Sequence, residues 1–300
     1  MNTAPRLTAD TRRKLKSIAQ ALGVYRLVRI VLRRRLARQY YAAALKRIEA
    51  WAWKDTEDSN FYYRLTPLNE DQLAQTVMCV TGCDLDRVRT YFAELDGDAG
   101  LREHIRKAVA QSNYGRDIHV EFGRRLGWYA MARALKPQLV VETGVDHGVG
   151  SCVLASALLR NAAEGFPGRY IGTDIRQEAG QLLQGPYRGV GEIVYGDSIQ
   201  SLKELQGSID LFINDSDHSA DYEAREYETV AGKLSAAAVI LGDNSHVTDK
   251  LSRFSATHGR RFIFFREVPQ DHWYPGAGIG ISFPNTQPRI AEHQSKLHEV

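Results

Sequence analysis

Two short polar segments carry the residues best suited to chemistry, and each directly follows an apolar run of the chain. The first, residues 215–218, reads Asp-Ser-Asp-His, and the second, residues 243–244, reads Asp-Asn. Carboxylate and amide oxygens are ligands that Mg²⁺ and Mn²⁺ prefer, usually with several waters retained. The two segments therefore predict a divalent metal site formed by Asp215, Asp243 and Asn244.

A metal ion at this position would bind a substrate hydroxyl and lower its pKa. His218 lies three residues after Asp215, which is close enough for its imidazole to accept the released proton. Asp217 either adds a further ligand or orients one. Any one of these residues alone would favour a helix cap or a loop contact, but their joint presence after two apolar runs favours a functional site.

A glycine-rich segment, residues 138–151, has the order of strand, tight turn and helix that opens nucleotide-binding α/β folds. Its apolar run ends at Glu142, and glycines follow at positions 144, 148 and 150. An acid there is a poor neighbour for a pyrophosphate but a good one for a cation or a hydroxyl donor. We therefore predict S-adenosylmethionine (SAM) as the cofactor. The predicted contacts in this segment are Glu142, Thr143, Gly144, His147, Gly148 and Ser151.

Further acids stand at predicted strand ends, where ligands bind in open α/β sheets. Asp174 ends one strand, and its carboxylate can accept both hydroxyl groups of a ribose. Asp197 follows the next strand, where it would meet the adenine amino group, although a helix N-cap would look the same in sequence. Asp215 is expected to border the cofactor as well as the metal.

Strand-like and helix-like patterns alternate from residue 138 onward, which predicts a parallel sheet with helices on both faces. The predicted strands are 138–143, 169–174, 191–195, 208–214, 236–241, 260–266 and 277–283. The predicted helices are 150–163, 176–184, 199–206, 220–233 and 246–257. The expected fold class is α/β with a Rossmann-like sheet, preceded by an N-terminal helical region.

Four regions follow from these patterns. They are a basic amphipathic helical arm over residues 1–50, a helical region over 51–115, the SAM-binding domain over 116–284 and a tail over 285–300. The domain is expected to begin with a helix over 116–135, which leads into the first strand.

The arm concentrates positive charge. It holds thirteen Lys and Arg residues against two acids, a net charge of +11, so the other 250 residues carry −8 of the chain's net +3. Leu15, Ile18 and Leu22 share one helix face before a break at Gly23. This face either packs on the body or on a second copy of the chain, or it lies on an anionic membrane. No zinc module or interleaved aromatic pattern supports nucleic acid as a partner.

The apolar runs near the N-terminus are short and flanked by basic residues, which argues against a spanning helix and a signal peptide. The three cysteines, Cys79, Cys83 and Cys152, make no disulfide framework and lack partners with zinc spacing. These observations fit a reducing compartment. We expect a cytoplasmic protein, peripheral to the inner face of the membrane if the arm binds lipid.

Taken together, the motifs resemble the class I SAM-dependent methyltransferases, and more closely their metal-dependent O-methyltransferase branches. The sequence from Glu142 to Val145 is similar to their first motif, and Asp174 to their ribose-binding acid. Residues 215–218 resemble the metal acid and catalytic histidine of the sugar and macrolide-glycoside enzymes. The resemblance covers about residues 116–284.

Residues 243–244 are similar to the Asp-Asn metal pair of the catechol enzymes, whereas the sugar enzymes often show Glu-Asp. The resemblance implies SAM-dependent, metal-assisted methylation of a hydroxyl on a sugar, a glycolipid or another small natural product. Residues 270–276, Gln-Asp-His-Trp-Tyr-Pro-Gly, either stack against such a ring or form a plain surface loop.

Three other functions stay open at this point. A nicotinamide-dependent oxidoreductase would show Gly-x-Gly-x-x-Gly, but Gly144 and Gly148 are spaced differently, and the acids at 215 and 243 would have no role there. A related Rossmann-like branch is cephalosporin hydroxylase-like, and a shared fold does not determine the reaction. A non-catalytic, membrane-associated scaffold is the third.

Overall fold

The computed structural model describes residues 8–21, 23–54, 57, 62–112 and 120–285. Predictions made for Leu22, for residues 116–119 of the 116–135 helix and for the tail beyond residue 285 lie outside the described residues. The helix prediction is wrong for residues 120–124, which contain a turn at Gly123 with a left-handed φ of +49°. The helices are α1 (Ala9–Ala21), α2 (Tyr25–Lys54), α3 (Pro67–Thr81), α4 (Leu85–Asp96), α5 (Ala99–Gln111), α6 (Arg125–Leu135), α7 (Val149–Ala163), α8 (Gly185–Arg188), α9 (Ser198–Glu204), α10 (Ala220–Val230) and α11 (Lys250–Thr257). The strands are β1 (Leu139–Thr143), β2 (Arg169–Asp174), β3 (Gly191–Tyr195), β4 (Ile209–Asn214), β5 (Leu234–Gly242), β6 (Arg260–Phe265) and β7 (Ile279–Pro284).

The chain divides into two compact units, and the smaller one contains α1, α2 and residues 271–273. Gly23 separates the two helices with a left-handed φ of +66°. Apolar side chains along α2 are exposed, among them Leu27, Val31 and Leu36 at 63%, 63% and 68%. No helix in the described part of the chain combines the length and apolar character needed to cross a membrane.

The larger unit is built on a seven-stranded sheet in the order β3-β2-β1-β4-β5-β7-β6. The strands β1 to β5 are mutually parallel, and β7 is antiparallel to both β5 and β6. The prediction of a purely parallel sheet is wrong at this edge. Since the segment between β6 and β7 contains no crossover helix, the chain returns in the opposite direction.

Alternate residues of the central strands face two different cores. Val140 and Leu211 belong to the core that includes α6 and α7, whereas Val141 and Phe212 pack with α10 and α11. This two-sided burial explains why these strands read as continuous apolar runs rather than as alternating patterns. Helices therefore cover both faces of the sheet, as the sequence predicts.

Helix boundaries in the 51–115 region coincide with the breaks visible in the sequence. The side chain of Thr66 caps α3 by accepting from the Asn69 amide, and Pro67 occupies the first helical position. Gly82 ends α3 with a left-handed φ of +69°, and Gly97 follows α4. These caps let α3, α4 and α6 share one core with α7.

The helix predicted over 176–184 is replaced by a series of turns, with the short α8 after it. Gly180 has a φ of +70°, which a helix does not accommodate. The amides of Gly180 and Leu182 donate to the carbonyls of Asp146 and His147 instead, at 2.7 and 3.1 Å. This segment therefore supports the turn after β1. Helix α11 also starts later than predicted, because residues 243–246 form a 3₁₀ turn.

Candidate active site

A cavity of about 890 Å³ opens at the carboxyl ends of the parallel strands. Each of β1 to β5 contributes a residue at or just after its end, and these residues are Gly144, Asp174, Asp197, Asp215 and Asp243. The lining also includes Arg124 and Arg125 at the start of α6 and the aromatic residues Tyr62, Tyr63 and Tyr274. This is the edge at which open α/β sheets bind ligands.

The turn after β1 brings two strand ends into contact. Gly144 has a φ of +79°, and a Cβ there would collide with the backbone of Asp215. The Asp215 amide donates to the Thr143 carbonyl at 2.9 Å, which holds the end of β4 against β1. Glycine is therefore required at position 144, and its backbone lies open to the cavity.

The carboxylate of Asp174 organises this turn. Its Oδ2 accepts hydrogen bonds from the amides of Val145 and Asp146 at 3.2 and 3.1 Å. Its Oδ1 accepts from the Arg176 amide at 2.9 Å, and the Arg176 guanidinium pairs with Asp146 at 2.8 Å. Asp174 thus borders the cavity as the sequence predicts, but a ligand would share oxygens that already hold the backbone.

Asp197 is both a helix cap and a cavity residue. Its Oδ1 accepts from the Gln200 amide at 2.9 Å and begins α9, while Oδ2 accepts from the Tyr222 hydroxyl at 3.0 Å. The backbone bond from Gln200 lowers the pKa of Asp197, so this carboxylate is charged at neutral pH. The two roles that the sequence leaves open for this residue are compatible.

Five of the predicted cofactor contacts are buried and are absent from the lining residues of this cavity: Glu142, Thr143, His147, Gly148 and Ser151. Thr143 donates to Glu226 at 3.3 Å, away from the turn. Gly148 begins α7, and a Cβ there would lie 3.1 Å from the Cα of Gly180. These residues are buried around the turn, and their contact with the cofactor stays a prediction.

Glu142 is the most constrained of these. It is 2% exposed and accepts a hydrogen bond of 2.5 Å from the Tyr170 hydroxyl, which also bonds to Ser151 at 2.7 Å. Burial raises the pKa of Glu142 to about 7, and the bond from Tyr170 opposes this only in part. The acid that the sequence places beside the cofactor is therefore a buried group whose pKa lies far above that of an ordinary glutamate.

The predicted chemical residues do converge. One ligand-type atom from each of Asp215, His218 and Asp243 lies within 4.8 Å of the other two. Burial and the adjacent charge of Asp243 raise the pKa of Asp215 well above its usual range, and Arg124 partly opposes them. Asp217 is exposed in the lining and accepts from the Ser219 amide at 2.7 Å. We call Asp215, Asp243 and His218 the acid–histidine cluster.

His218 is oriented by Asn244. The distance between His218 Nδ1 and Asn244 Oδ1 is 2.6 Å. With the amide oxygen as acceptor, Nδ1 carries the proton and Nε2 keeps a lone pair. Asn244 is 3% exposed and its amide oxygen contacts the histidine, while its predicted role as a metal ligand stays a prediction.

Arg124 places a positive charge in the same cluster. Its Nη2 contacts Asp243 Oδ1 and lies 3.9 Å from Asp215 Oδ2, while Nη1 lies 3.2 Å from Glu267 Oε1. Glu267 is fully buried, and its other oxygen accepts a hydrogen bond from the Tyr63 hydroxyl. Burial alone would lower the pKa of Arg124, but the surrounding acids outweigh it and raise the pKa. The guanidinium is therefore permanently charged.

A buried carboxylate, Glu226, holds the strand ends from beneath. It accepts hydrogen bonds from Asn214, Ser198 and Thr143, and from Ser216 at 2.8 Å. These donors come from the ends of β1 and β4 and from the start of α9. A buried acid with this many donors fixes the relative positions of three elements that carry cavity residues.

Sequence reasoning missed Arg124, Arg125, Tyr63 and Glu267. A signal for the first two exists, since the adjacent cations immediately precede Leu126–Ala134, a run that is entirely buried. Two arginines at the start of a buried helix need acids or ligands nearby. Neither Tyr63 nor Glu267 has a comparable local signature.

Residues 141–245, from β1 to the turn after β5, match a family model described as a methyltransferase domain. No curated protein matches the chain. The strand order of the larger unit is that of the class I methyltransferase fold, and the matched residues lie within this unit.

Several solved structures show a limited likeness. The SAH-bound methyltransferase PaMTH1 of Podospora anserina is 16% identical, with 65% of this chain and 93% of that chain covered and a TM-score of 0.46. The O-methyltransferase TomG of Streptomyces achromogenes, involved in tomaymycin synthesis and solved with SAM, is 14% identical, with 61% and 90% covered and a TM-score of 0.45. An O-methyltransferase of Bacillus cereus in complex with SAH is 14% identical, with 65% and 99% covered and a TM-score of 0.44. The fold assignment rests on the strand order and the domain match.

Proposed function

We propose that this chain transfers the methyl group of SAM to a hydroxyl oxygen of a ring-containing small molecule, such as a sugar, a glycolipid or another natural product. One observation carries the proposal. His218 stands in the cavity lining with its Nδ1 2.6 Å from Asn244 Oδ1, beside the acids at 215 and 243. This is the arrangement that a general base for a hydroxyl acceptor requires.

In this proposal SAM occupies the part of the cavity between the ends of β1, β2 and β3. Its backbone-facing edge lies against Gly144, its ribose hydroxyls reach Asp174, and its adenine lies near Asp197. All three residues are lining residues of one cavity, which supports a single ligand that contacts them together. The methyltransferase domain match supports SAM over a nicotinamide cofactor.

Arg125 is suited to hold the carboxylate of the methionine part of SAM. It lines the cavity, its Nε is buried without a hydrogen-bond partner, and it forms no ion pair among the residues that the structure describes. Its guanidinium lies over the ring of Trp128 at 5.7 Å. An arginine whose Nε lacks a hydrogen-bond partner favours an anionic ligand group.

The chemical step follows from this placement. The acceptor hydroxyl donates its proton to His218 Nε2, and the oxygen attacks the methyl carbon in line with the departing sulfur. The new C–O bond forms as the C–S bond breaks, and the electron pair of that bond neutralises the sulfonium. The contribution of the protein is to position the three atoms and to control the charge around them.

The aromatic lining supports a ring-shaped acceptor. Tyr62, Tyr63 and Tyr274 line the cavity, and the rings of Tyr63 and Tyr274 lie 5.8 Å apart. Tyr274 comes from the 270–276 segment, for which the sequence predicts either ring stacking or a plain loop. Aromatic faces of this kind bind the apolar faces of sugars and aromatic rings.

Calorimetric titration with SAM and with NADH, followed by incubation of the full chain with methyl-labelled SAM and a panel of sugars, phenols and cell extracts, tests the proposal. We expect SAM binding, no NADH binding and label transfer to a hydroxyl compound. NADH binding without SAM binding would return the chain to the oxidoreductase class. SAM binding with label on nitrogen or carbon would contradict the choice of a hydroxyl acceptor.

The sequence also predicts assistance by Mg²⁺ or Mn²⁺. The short distances within the acid–histidine cluster support this prediction, but the guanidinium of Arg124 stands against the same two carboxylates. The carboxylates of Asp215 and Asp243 already face the Arg124 guanidinium, so they do not fit a divalent ion in addition to it. No step of the proposed reaction uses a metal.

The basic arm is proposed to bind anionic lipid. Exposed apolar side chains and clustered basic residues on α2 support this, since each Lys or Arg near an anionic surface contributes about 1 kcal/mol. The triple variant R33E/R34E/R35E should lose co-sedimentation with phosphatidylglycerol vesicles, and high salt should weaken binding of the unmodified chain.

A control with the same charge change is K107E/R188E/K203E, three exposed cations of the larger unit. It should bind vesicles like the unmodified chain. No vesicle binding at low salt would exclude the membrane proposal. A change from a dimer to a monomer in the arm variant, without any lipid effect, would favour the rival prediction that the arm joins two copies.

A further inference from the structure

Arg124 lies where a dication would have to enter the acid–histidine cluster. Its Nη2 contacts Asp243 Oδ1 directly and is 3.9 Å from Asp215 Oδ2, so the guanidinium faces the gap between the two carboxylates. All three side chains are largely buried, at 16%, 18% and 11% exposure for Arg124, Asp215 and Asp243. At such burial, solvent screens the charges only weakly.

Glu267 holds the other edge of the guanidinium. Nη1 of Arg124 is 3.2 Å from Glu267 Oε1, and the second oxygen of Glu267 accepts from the Tyr63 hydroxyl. Glu267 is fully buried, so removing Arg124 from it would leave a carboxylate without its compensating charge. The ring of Trp128 lies 6.0 Å from the guanidinium carbon. Arg124 is therefore fixed on two sides and is not free to rotate away at low cost.

We infer that Arg124 is the resident cation of this cluster and that it competes with divalent metal ions for Asp215 and Asp243. A Mg²⁺ or Mn²⁺ ion would need carboxylate oxygens at about 2.0–2.2 Å, and one of those oxygens contacts Nη2 of Arg124. The positive charges of the guanidinium and the ion repel each other across this short distance. Occupation by metal therefore requires Arg124 to leave Asp243.

This part of the inference depends on the proposed reaction. In that reaction Arg124 supplies the positive charge near the acceptor oxygen that the sequence assigns to a metal ion. Its Nη2 lies beside the two acids near which the acceptor oxygen would lose its proton to His218. The fixed guanidinium stabilises the negative charge that develops on that oxygen. It does so without rearrangement, since Glu267 already holds it in place.

The competition can be measured without turnover, by titrating Mn²⁺ and following the free ion by electron paramagnetic resonance. We expect the unmodified chain to bind Mn²⁺ with a Kd of about 1 mM or weaker. The variant R124Q should bind it at least about tenfold more tightly, because the competing charge is gone. Adding D243N to R124Q should remove this gain.

Since R124Q leaves Glu267 uncompensated, the double variant R124Q/E267Q is tested beside it, with thermal unfolding as a check on the fold. The single variant E267Q keeps Arg124, so its Kd for Mn²⁺ should stay as high as that of the unmodified chain. A tight site in the unmodified chain, with a Kd in the micromolar range, overturns the inference on its own. Equal Mn²⁺ affinities with and without Arg124 would contradict the inference that Arg124 competes with the ion for the two carboxylates.

Turnover gives a separate readout. EDTA should leave the activity of the unmodified chain unchanged, and R124Q should lower kcat more than it raises KM for SAM. Loss of activity in EDTA that Mn²⁺ restores would contradict the role assigned to Arg124. If the chain transfers no methyl group at all, the proposed function fails, while the Mn²⁺ titrations still decide the competition.

Discussion

The two halves of the cavity hold their carboxylates in opposite ways. In the cofactor half, Asp174 and Asp197 accept hydrogen bonds from backbone amides, both of nearby residues and of the turn after β1. In the acceptor half, Asp215 and Asp243 face each other, and the compensating charge comes from Arg124 at the start of a helix far earlier in the chain. Hydrogen bonds from backbone amides maintain the first half, whereas charge pairing between side chains maintains the second.

This difference has a consequence for substitutions. A carboxylate that is held by backbone amides can be replaced at a cost of about 1–3 kcal/mol for each buried amide that is left without an acceptor. A carboxylate that compensates a buried cation cannot, because its loss leaves an unpaired charge in the core. We therefore expect the two halves to separate cleanly into effects on cofactor affinity and effects on the chemical step.

The largest effect is expected at His218. H218A should lower kcat by about 10²–10⁴-fold, the range of a lost general base. SAM affinity should stay within error, because His218 belongs to the acceptor half. Single-turnover kinetics and calorimetry on the same preparation measure both quantities. A parallel loss of SAM affinity would show that the two halves are not separate.

Glu142, beneath the cofactor half, should make the stability of the folded chain depend on pH. Its pKa is raised to about 7 in the folded chain, so protonation favours folding, and that stability is lost as pH rises from about 4.5 through 7. E142Q should be more stable than the unmodified chain at pH 8 by roughly 3 kcal/mol, with little difference at pH 4.5.

Urea unfolding at several pH values measures this, and E192Q, at an exposed glutamate of β3, is the matched control. The control should leave the pH dependence unaltered. If E142Q destabilises the chain at pH 8, the carboxylate is needed in its charged form, and the raised pKa of Glu142 does not describe its effect on stability.

Asp174 tests the cofactor half directly. D174A should weaken SAM binding by about 1.5–3 kcal/mol, the scale of lost charge-assisted hydrogen bonds. D197A should have a smaller effect, because Asp197 is exposed and also serves as a helix cap. Calorimetry at constant pH compares the two. An unchanged Kd for SAM in D174A would mean that Asp174 does not bind the cofactor and only holds the turn at Val145 and Asp146.

The smallest effect is expected at Asn244, which acts through His218. N244A should lower kcat by roughly tenfold, because Nδ1 loses the acceptor that keeps the base in the right tautomer. N244D retains an acceptor oxygen and should lose less. Both variants should shift the pH profile of kcat, which a purely structural role would not do. If neither variant shifts the pH profile of kcat, Asn244 does not act on the reaction through His218.

Much of the fold could be predicted because its signals are local. The observed β2 and β3 have the predicted bounds, and the helix breaks at Thr66, Gly82 and Gly97 follow from cap chemistry that is visible in sequence. The meeting of Asp215 and Asp243 could also be predicted, since adjacent parallel strands end at the same edge. The absence of the helix predicted over 176–184 could not be foreseen from the sequence. Backbone amides of this segment donate to carbonyls of the turn after β1, and such long-range hydrogen bonds leave no local pattern.

What the sequence determined by itself is therefore the periodic part of the molecule: the strands, the glycine turn and the acids that follow the strand ends. Local hydrogen bonding and hydrophobic pattern set these features within a few residues. The tertiary structure alone decided that Glu142 is turned into the core and that Arg124, Glu267 and Tyr63 join the acid–histidine cluster. The charge that neutralises a buried acid is the one closest to it in space, and residues far apart along the chain can be that close. Their separation in the sequence therefore does not predict the pairing.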